Sequence, residues 1–182
     1  VYKSSRGGGY WIWKPFVAFV ALEKMQDGDV LIYADAGCQL VNNSHAKKQL
    51  HKYIIKSNLS PTGVLAFRNP CLESTWTKAD ALIHFDVLKN AKFYNTRQFT
   101  ANRFIITKNK NSLQIVKKWW DTAQNFPSLF DDSLIHSNLS GFKDHRHDQS
   151  IWSLICKMSN VSEEWDWKSA NEVIARKGDW KQ

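Results

Sequence analysis

Cysteine is scarce in this chain: Cys38, Cys71 and Cys156 are widely separated and no CxxC pair occurs. An odd count without paired spacing excludes a disulfide framework and reads as reduced thiols in a cytoplasmic compartment. There the sequons at Asn42, Asn58, Asn138 and Asn160 would stay unused. No apolar run approaches the ~20 residues that span a bilayer, and no secretory signal pattern is found. An arginine-rich arm and zinc-ligand spacing are also missing, which argues against nucleic acid as a partner. Without repeats or low-complexity tracts, the 182 residues read as one domain able to bury a core.

Aromatic side chains and positive charge are plentiful. Nine Trp, ten Phe and five Tyr are expected mostly in the core, with some rings free to stack on sugars or bases. The formal net charge of +8 favours an anionic partner. The lysines are dispersed, with Lys47-Lys48 and Lys117-Lys118 the only doublets.

The hydrophobic pattern predicts an α/β domain. Arg6-Gly7-Gly8-Gly9 reads as a loop whose backbone N–H groups can cradle phosphate beside a cation. Pro15 opens a buried helix that ends near residue 26, before Asp27-Gly28. Residues 29–34 read as a central strand covered on both faces, with Asp35 at its carboxyl end and Ala36-Gly37 after it. A helix over 45–57, a strand over 64–67 and a helix capped by Thr77 and running to Leu88 follow. A strand over 102–107, approached by Gln98 and Asn102, precedes a helix over 112–126 with Trp119 and Trp120 on its apolar face. The tail from Val161 to Gln182 is expected to form a terminal helix packed by Trp165, Trp167 and Trp180.

Two junctions carry clustered chemistry. Glu73, Lys78 and Asp80 gather where a strand gives way to a helix, a frequent site position in α/β folds. Asp144, His145, Arg146, His147 and Asp148 precede an apolar helix whose N-terminus favours anions. So many titratable groups at one helix mouth point to a site rather than a cap alone.

The segments Gly9-Tyr10-Trp11-Ile12-Trp13-Lys14-Pro15, Tyr33 to Cys38, Glu73 to Asp80 and His145 to Ser150 together resemble a known group. These are small GT-A glycosyltransferases of bacterial capsule and lipopolysaccharide loci and of large DNA viruses, including algal ones. The resemblance runs from about residue 6 to residue 158. It implies a Rossmann-like GT-A domain with a mixed sheet between helices. It further implies a hexosyl- or deoxyhexosyltransferase that moves sugar from a nucleotide-sugar, UDP-sugar favoured, to a glycan acceptor. On the same ground the family's first βα unit is expected either ahead of Val1 or built differently here, and a host cytoplasmic location is expected if the source is viral.

The family's metal-binding Asp-x-Asp is matched by Ala34-Asp35-Ala36, a DXD-like motif with one carboxylate. The resemblance implies Mn²⁺ or Mg²⁺ on Asp35, with His147 or His145 adding a ligand that favours Mn²⁺. Lys14 or Lys78, with Arg146, would face the leaving diphosphate, and Asp148 would act as base or contact the reacting sugars. Glu73 and Asp80 would contact donor hydroxyls, or one of them would be the base. Trp13, Ala36, Gly37, Gln98 and Gln149 complete the expected donor site. A non-catalytic carbohydrate-binding module and a metal-dependent phosphodiesterase or nuclease are the alternatives.

Overall fold

Val64-Leu65-Ala66-Phe67 and Phe104-Ile105-Ile106 are apolar at every position, as strands must be when both faces are covered. The computed structural model describes residues 6–164 and 167–176. Its elements are α1 (Gly7–Tyr10), α2 (Trp13–Lys24), β1 (Val30–Ala34), β2 (Cys38–Leu40), α3 (Ser44–Leu59) and β3 (Val64–Leu72). Then come α4 (Glu73–Trp76), α5 (Ala79–His84), α6 (Ala91–Tyr94), β4 (Arg97–Thr107) and α7 (Lys110–Asn125). A 3-10 turn (Pro127–Leu129), α8 (Asp148–Met158), β5 (Ser162–Glu164), α9 (Trp167–Val173) and β6 (Ile174–Arg176) complete the described chain.

The result is a mixed four-stranded sheet flanked by helices, in the order β1-β4-β3-β5. β4 runs antiparallel to both β1 and β3, and β5 runs parallel to β3. Alternation along the strands builds two cores. Val64, Ala66, Phe104 and Ile106 pack with Leu22 of α2, Trp119 of α7 and Trp152 of α8. Leu65, Phe67 and Ile105 face the other way, onto Tyr53 of α3 and Ala170, Val173 and Ile174 of the tail. Trp119 and Trp152 lie 4.8 Å apart between ring centroids and are fully buried, so these two rings are core, as expected.

Several boundaries differ from the sequence reading. The strand expected to be central is β1, and it lies at the sheet edge, half-buried along Val30–Tyr33. Its apolar run has a different cause: Leu31 and Tyr33 lean on one core while Val30 and Ile32 lean on the other. β4 is central and begins at Arg97, because Gln98 and Thr100 bury their polar groups in hydrogen bonds and so remain within the strand. The helix expected from Thr77 to Leu88 is only the short α5, Ala79–His84, separated from α4 by the extended backbone of Thr77 and Lys78. Thr77 does not cap; its hydroxyl donates to Glu73 Oε1.

The tail is anchored by α9 and by β6, which pairs antiparallel with β2 in a separate two-stranded ribbon. The aromatic packing expected of Trp165, Trp167 and Trp180 lies outside what is described. Among the described residues no helix is long and apolar enough to cross a membrane.

Candidate functional site

β1 and β3 point the same way, so their carboxyl ends open onto one side of the sheet. There a cleft of about 700 Å³ takes in Asp35 to Cys38, Asn69 to Cys71, the middle of β4 and the start of α8. Its volume falls within the ~300–1,000 Å³ typical of ligand pockets.

Lys14 forms the floor. It sits on the first turn of α2, is 2% exposed, and donates from Nζ to the Ala101 carbonyl at 3.2 Å. The same Nζ lies 3.1 Å from Asp35 Oδ1 and 2.7 Å from Asp148 Oδ2. Asp35 Oδ1 also accepts from the Tyr33 hydroxyl at 2.9 Å. Tyr33 and Asp35 are two residues apart at the end of one strand, a spacing that places side chains on one face. Burial, with the Asp35 charge beside it, raises the Tyr33 hydroxyl far above its ordinary pKa.

Asp148 is the first residue of α8 and is buried. Burial pushes its carboxyl up to about 6; Lys14 opposes that shift and the Asp35 charge adds to it. Its Oδ2 has no hydrogen-bond partner and is held by the ion pair alone.

The walls combine cations and rings. Arg6, Arg103, Arg146 and Arg176 line the cleft with Trp11 and Trp13. Arg146 lies with its guanidinium carbon 4.0 Å from the centroid of the Trp76 ring, which fixes its plane. Arg6 hydrogen-bonds Asp132 at 3.2 Å, and Arg103 donates to Asn171 and to the Ile174 carbonyl. Gly7, Gly8 and Gly9 all take left-handed φ, and the Gly7 carbonyl accepts from Trp13 Nε1 at 3.0 Å. The glycines thereby turn the chain so that Trp11 and Trp13 reach the rim.

Lys14, Trp13, Asp35, Ala36, Gly37, Arg146, His147, Asp148 and Gln149 therefore meet in one place, as the sequence reading expects. Glu73, Lys78, Asp80, Gln98 and His145 do not line it. Glu73 is fully buried and bonded to Thr77, Gln98, Ser153 and Lys157. Asp80 accepts from the backbone N–H groups of Ile135 and His136, and Lys78 donates to the carbonyls of Ser128, Asp131 and Ser133. Both residues fasten the 128–136 segment to α5. These are corrections: neither carboxylate is placed to contact donor hydroxyls or act as base, and Lys78 does not face the cleft.

Gln98 acts at one remove. It gives its amide N–H to Glu73, Thr77 and Ser150, which leaves its carbonyl to accept from Gln149 Nε2 at 2.8 Å. The Gln149 side chain is thereby oriented at the cleft wall.

Of the expected metal ligands, Asp35 and His147 line the cleft and His145 does not. His145 is buried, with Nε2 on the Leu129 carbonyl at 2.8 Å and Nδ1 accepting from the Lys78 N–H. His147 puts Nδ1 on the Phe130 carbonyl at 2.8 Å and packs its ring against Tyr10 and Trp11. Asp35 is already ion-paired to Lys14. Among the described residues no group of three His, Cys, Asp or Glu side chains is arranged to hold a metal ion.

The sequence reading gives no site role to Tyr33, Asn69, Asn102, Arg103 or Arg176. Tyr33 was findable from its i, i+2 spacing to Asp35. The others sit in strands or turns without a local signal.

His145 makes the fold acid-sensitive. Burial, with the Lys78 and His147 charges nearby, lowers its pKa from 6.5 to about 3. Between those values the unfolded chain binds a proton that the folded one refuses, so stability falls as pH drops below 6.5. This one group is expected to cost about 2 kcal/mol at pH 5 relative to pH 7. Asp148, its pKa raised, titrates with the opposite sign over the same range. Urea unfolding of wild type against His145→Gln at both pH values isolates the effect; equal pH slopes would refute it.

Comparison with protein-family models, curated proteins and solved structures finds no match.

Proposed function

We propose that the cleft is the donor site of a glycosyltransferase with a GT-A-like domain, moving a sugar from a nucleoside-diphosphate donor, UDP-sugar favoured, to a glycan acceptor. The observation that carries this reading is the Asp148–Lys14–Asp35 array, buried at Asp148 and Lys14 and open to solvent at Asp35, under a cleft walled by arginines and tryptophans. Arginine forks match phosphate oxygens, and indole faces match the apolar faces of sugars.

Each residue then has a task. Asp148 takes the proton of the acceptor hydroxyl, and its pKa of about 6 suits a base working near neutrality. The acceptor oxygen bonds to the anomeric carbon while the bond from that carbon to the diphosphate oxygen breaks. Arg146 and its neighbours receive the charge that develops on the leaving diphosphate. Lys14 holds Asp148 and Asp35 at fixed positions. Asp35, half-exposed, offers its second oxygen to sugar hydroxyls.

The test is incubation of the protein with a panel of UDP-, GDP-, ADP- and dTDP-sugars, following nucleotide release and the melting temperature. One nucleotide class is expected to raise the melting temperature and to yield free nucleotide with its cognate sugar. Stabilisation without turnover, with or without added glycans, would favour a binding module. Cleavage of plain nucleic acid with no nucleotide effect would refute the proposal.

A further inference from the structure

The donor-site reading leaves one question that the geometry addresses: what neutralises the diphosphate. Enzymes that handle phosphoanhydrides commonly recruit a divalent ion through carboxylates. Here the two carboxylates at the cleft floor are both committed to the same ammonium. Lys14 Nζ lies 3.1 Å from Asp35 and 2.7 Å from Asp148, and its hydrogen bond to the Ala101 carbonyl fixes it from below. A divalent ion bridging Asp35 and Asp148 would have to displace that ammonium or sit against it, with like charges a few ångströms apart. The Lys14 side chain is almost wholly buried where it stands. His145 Nε2 sits on the Leu129 carbonyl, and His147, with Nδ1 on the Phe130 carbonyl, has its Nε2 3.8 Å from Asp132 Oδ1; among the described residues no three such side chains are grouped to hold an ion.

Positive charge is instead supplied from the walls. Arg146, over the Trp76 ring, and Arg176, brought in by the β2–β6 ribbon, have no carboxylate partner among the described residues. Both line the cleft. A guanidinium offers two parallel N–H groups to a phosphate, a contact that needs no bridging ion.

We propose that this cleft binds a nucleoside diphosphate without a divalent ion, Lys14 filling the cation position between Asp35 and Asp148 while Arg146 and Arg176 neutralise the phosphates. The inference rests on the donor-site reading for its ligand, and on Lys14 alone for the metal. It makes Lys14 a positioning residue for Asp148 and a built-in replacement for the ion that the Ala34-Asp35-Ala36 motif implies.

Two measurements on the full chain test it. Calorimetric titration with UDP is run in EDTA and in Mn²⁺; the two dissociation constants are expected to agree within about threefold. Electron paramagnetic resonance of free Mn²⁺ is then followed as protein is added. Wild type is expected to leave the signal of ~1 mM Mn²⁺ unchanged, and Lys14→Ala, with both carboxylates released, to deplete it.

UDP binding that appears only with Mn²⁺ overturns the inference and leaves the donor-site reading standing. Failure of UDP and other nucleotides to bind in either buffer overturns the donor-site reading. The Mn²⁺ titration then decides the metal question by itself. Depletion of Mn²⁺ by wild type that Asp35→Asn abolishes refutes the role given to Lys14, and this comparison needs no folded Lys14 variant.

Discussion

Glu73→Ala is expected to lower the unfolding free energy by about 3–5 kcal/mol, the usual cost of leaving a buried charge without its partner. Glu73 is 0% exposed and its Oε2 pairs with Lys157, which is itself buried. Oε2 also accepts from Ser153, while Oε1 accepts from Thr77 and Gln98. Truncation strands the ammonium: burial already lowers the Lys157 pKa against the pull of Glu73. A domain of this size has about 5–15 kcal/mol in all, so the variant would sit near its unfolding threshold. Urea denaturation measures the loss. The double variant Glu73→Leu/Lys157→Leu is expected to recover a large part of it, because the apolar pair leaves no charge unmet. A loss below ~1 kcal/mol for the single variant would show that the carboxylate is solvated, as surface pairs are, and would reopen a role in ligand contact.

Asp148→Asn is expected to reduce nucleotide-sugar turnover by roughly 10²–10⁴-fold, the range for loss of a general base. Nucleotide binding should change far less, because the arginines of the walls are untouched. The two carboxylates under the cleft thus separate by kinetic signature: loss at Asp148 appears in kcat. Wild type is expected to gain activity as pH rises through about 6, where Asp148 loses its proton, rather than near 4 as for a solvated aspartate. Rates measured from pH 5 to 8 with the cognate donor check this. A variant that retains more than about a tenth of wild-type turnover would remove Asp148 from the base role.

The floor of the site was legible because its parts lie at element ends, where sequence marks them: Lys14 beside Pro15, Asp35 after an apolar run, Asp148 before one. The α/β class and most elements were readable from hydrophobic period. What failed depended on pairing. β1 looked central because apolar content reports burial of the two faces and says nothing of which strands flank it. Glu73, Asp80 and Lys78 looked like a site because charged residues at a strand–helix junction carry the same composition whether they meet a ligand or a loop. Only the placement of the 128–136 segment and of α8 separates the two cases. Arg103 and Arg176 left no trace, since an arginine in a strand gives no sign of which side of the sheet it will serve.

The cleft draws on stretches from Arg6 through Asp35, Asn69, Asn102 and Asp148 to Arg176, the last carried by the β2–β6 ribbon. No fragment of the chain therefore contains the site, and occupancy and folding become one equilibrium. A ligand at a hundred times its dissociation constant would add about 2.7 kcal/mol to the stability of the whole domain. Resistance to proteolysis therefore reports on any ligand that fills the cleft.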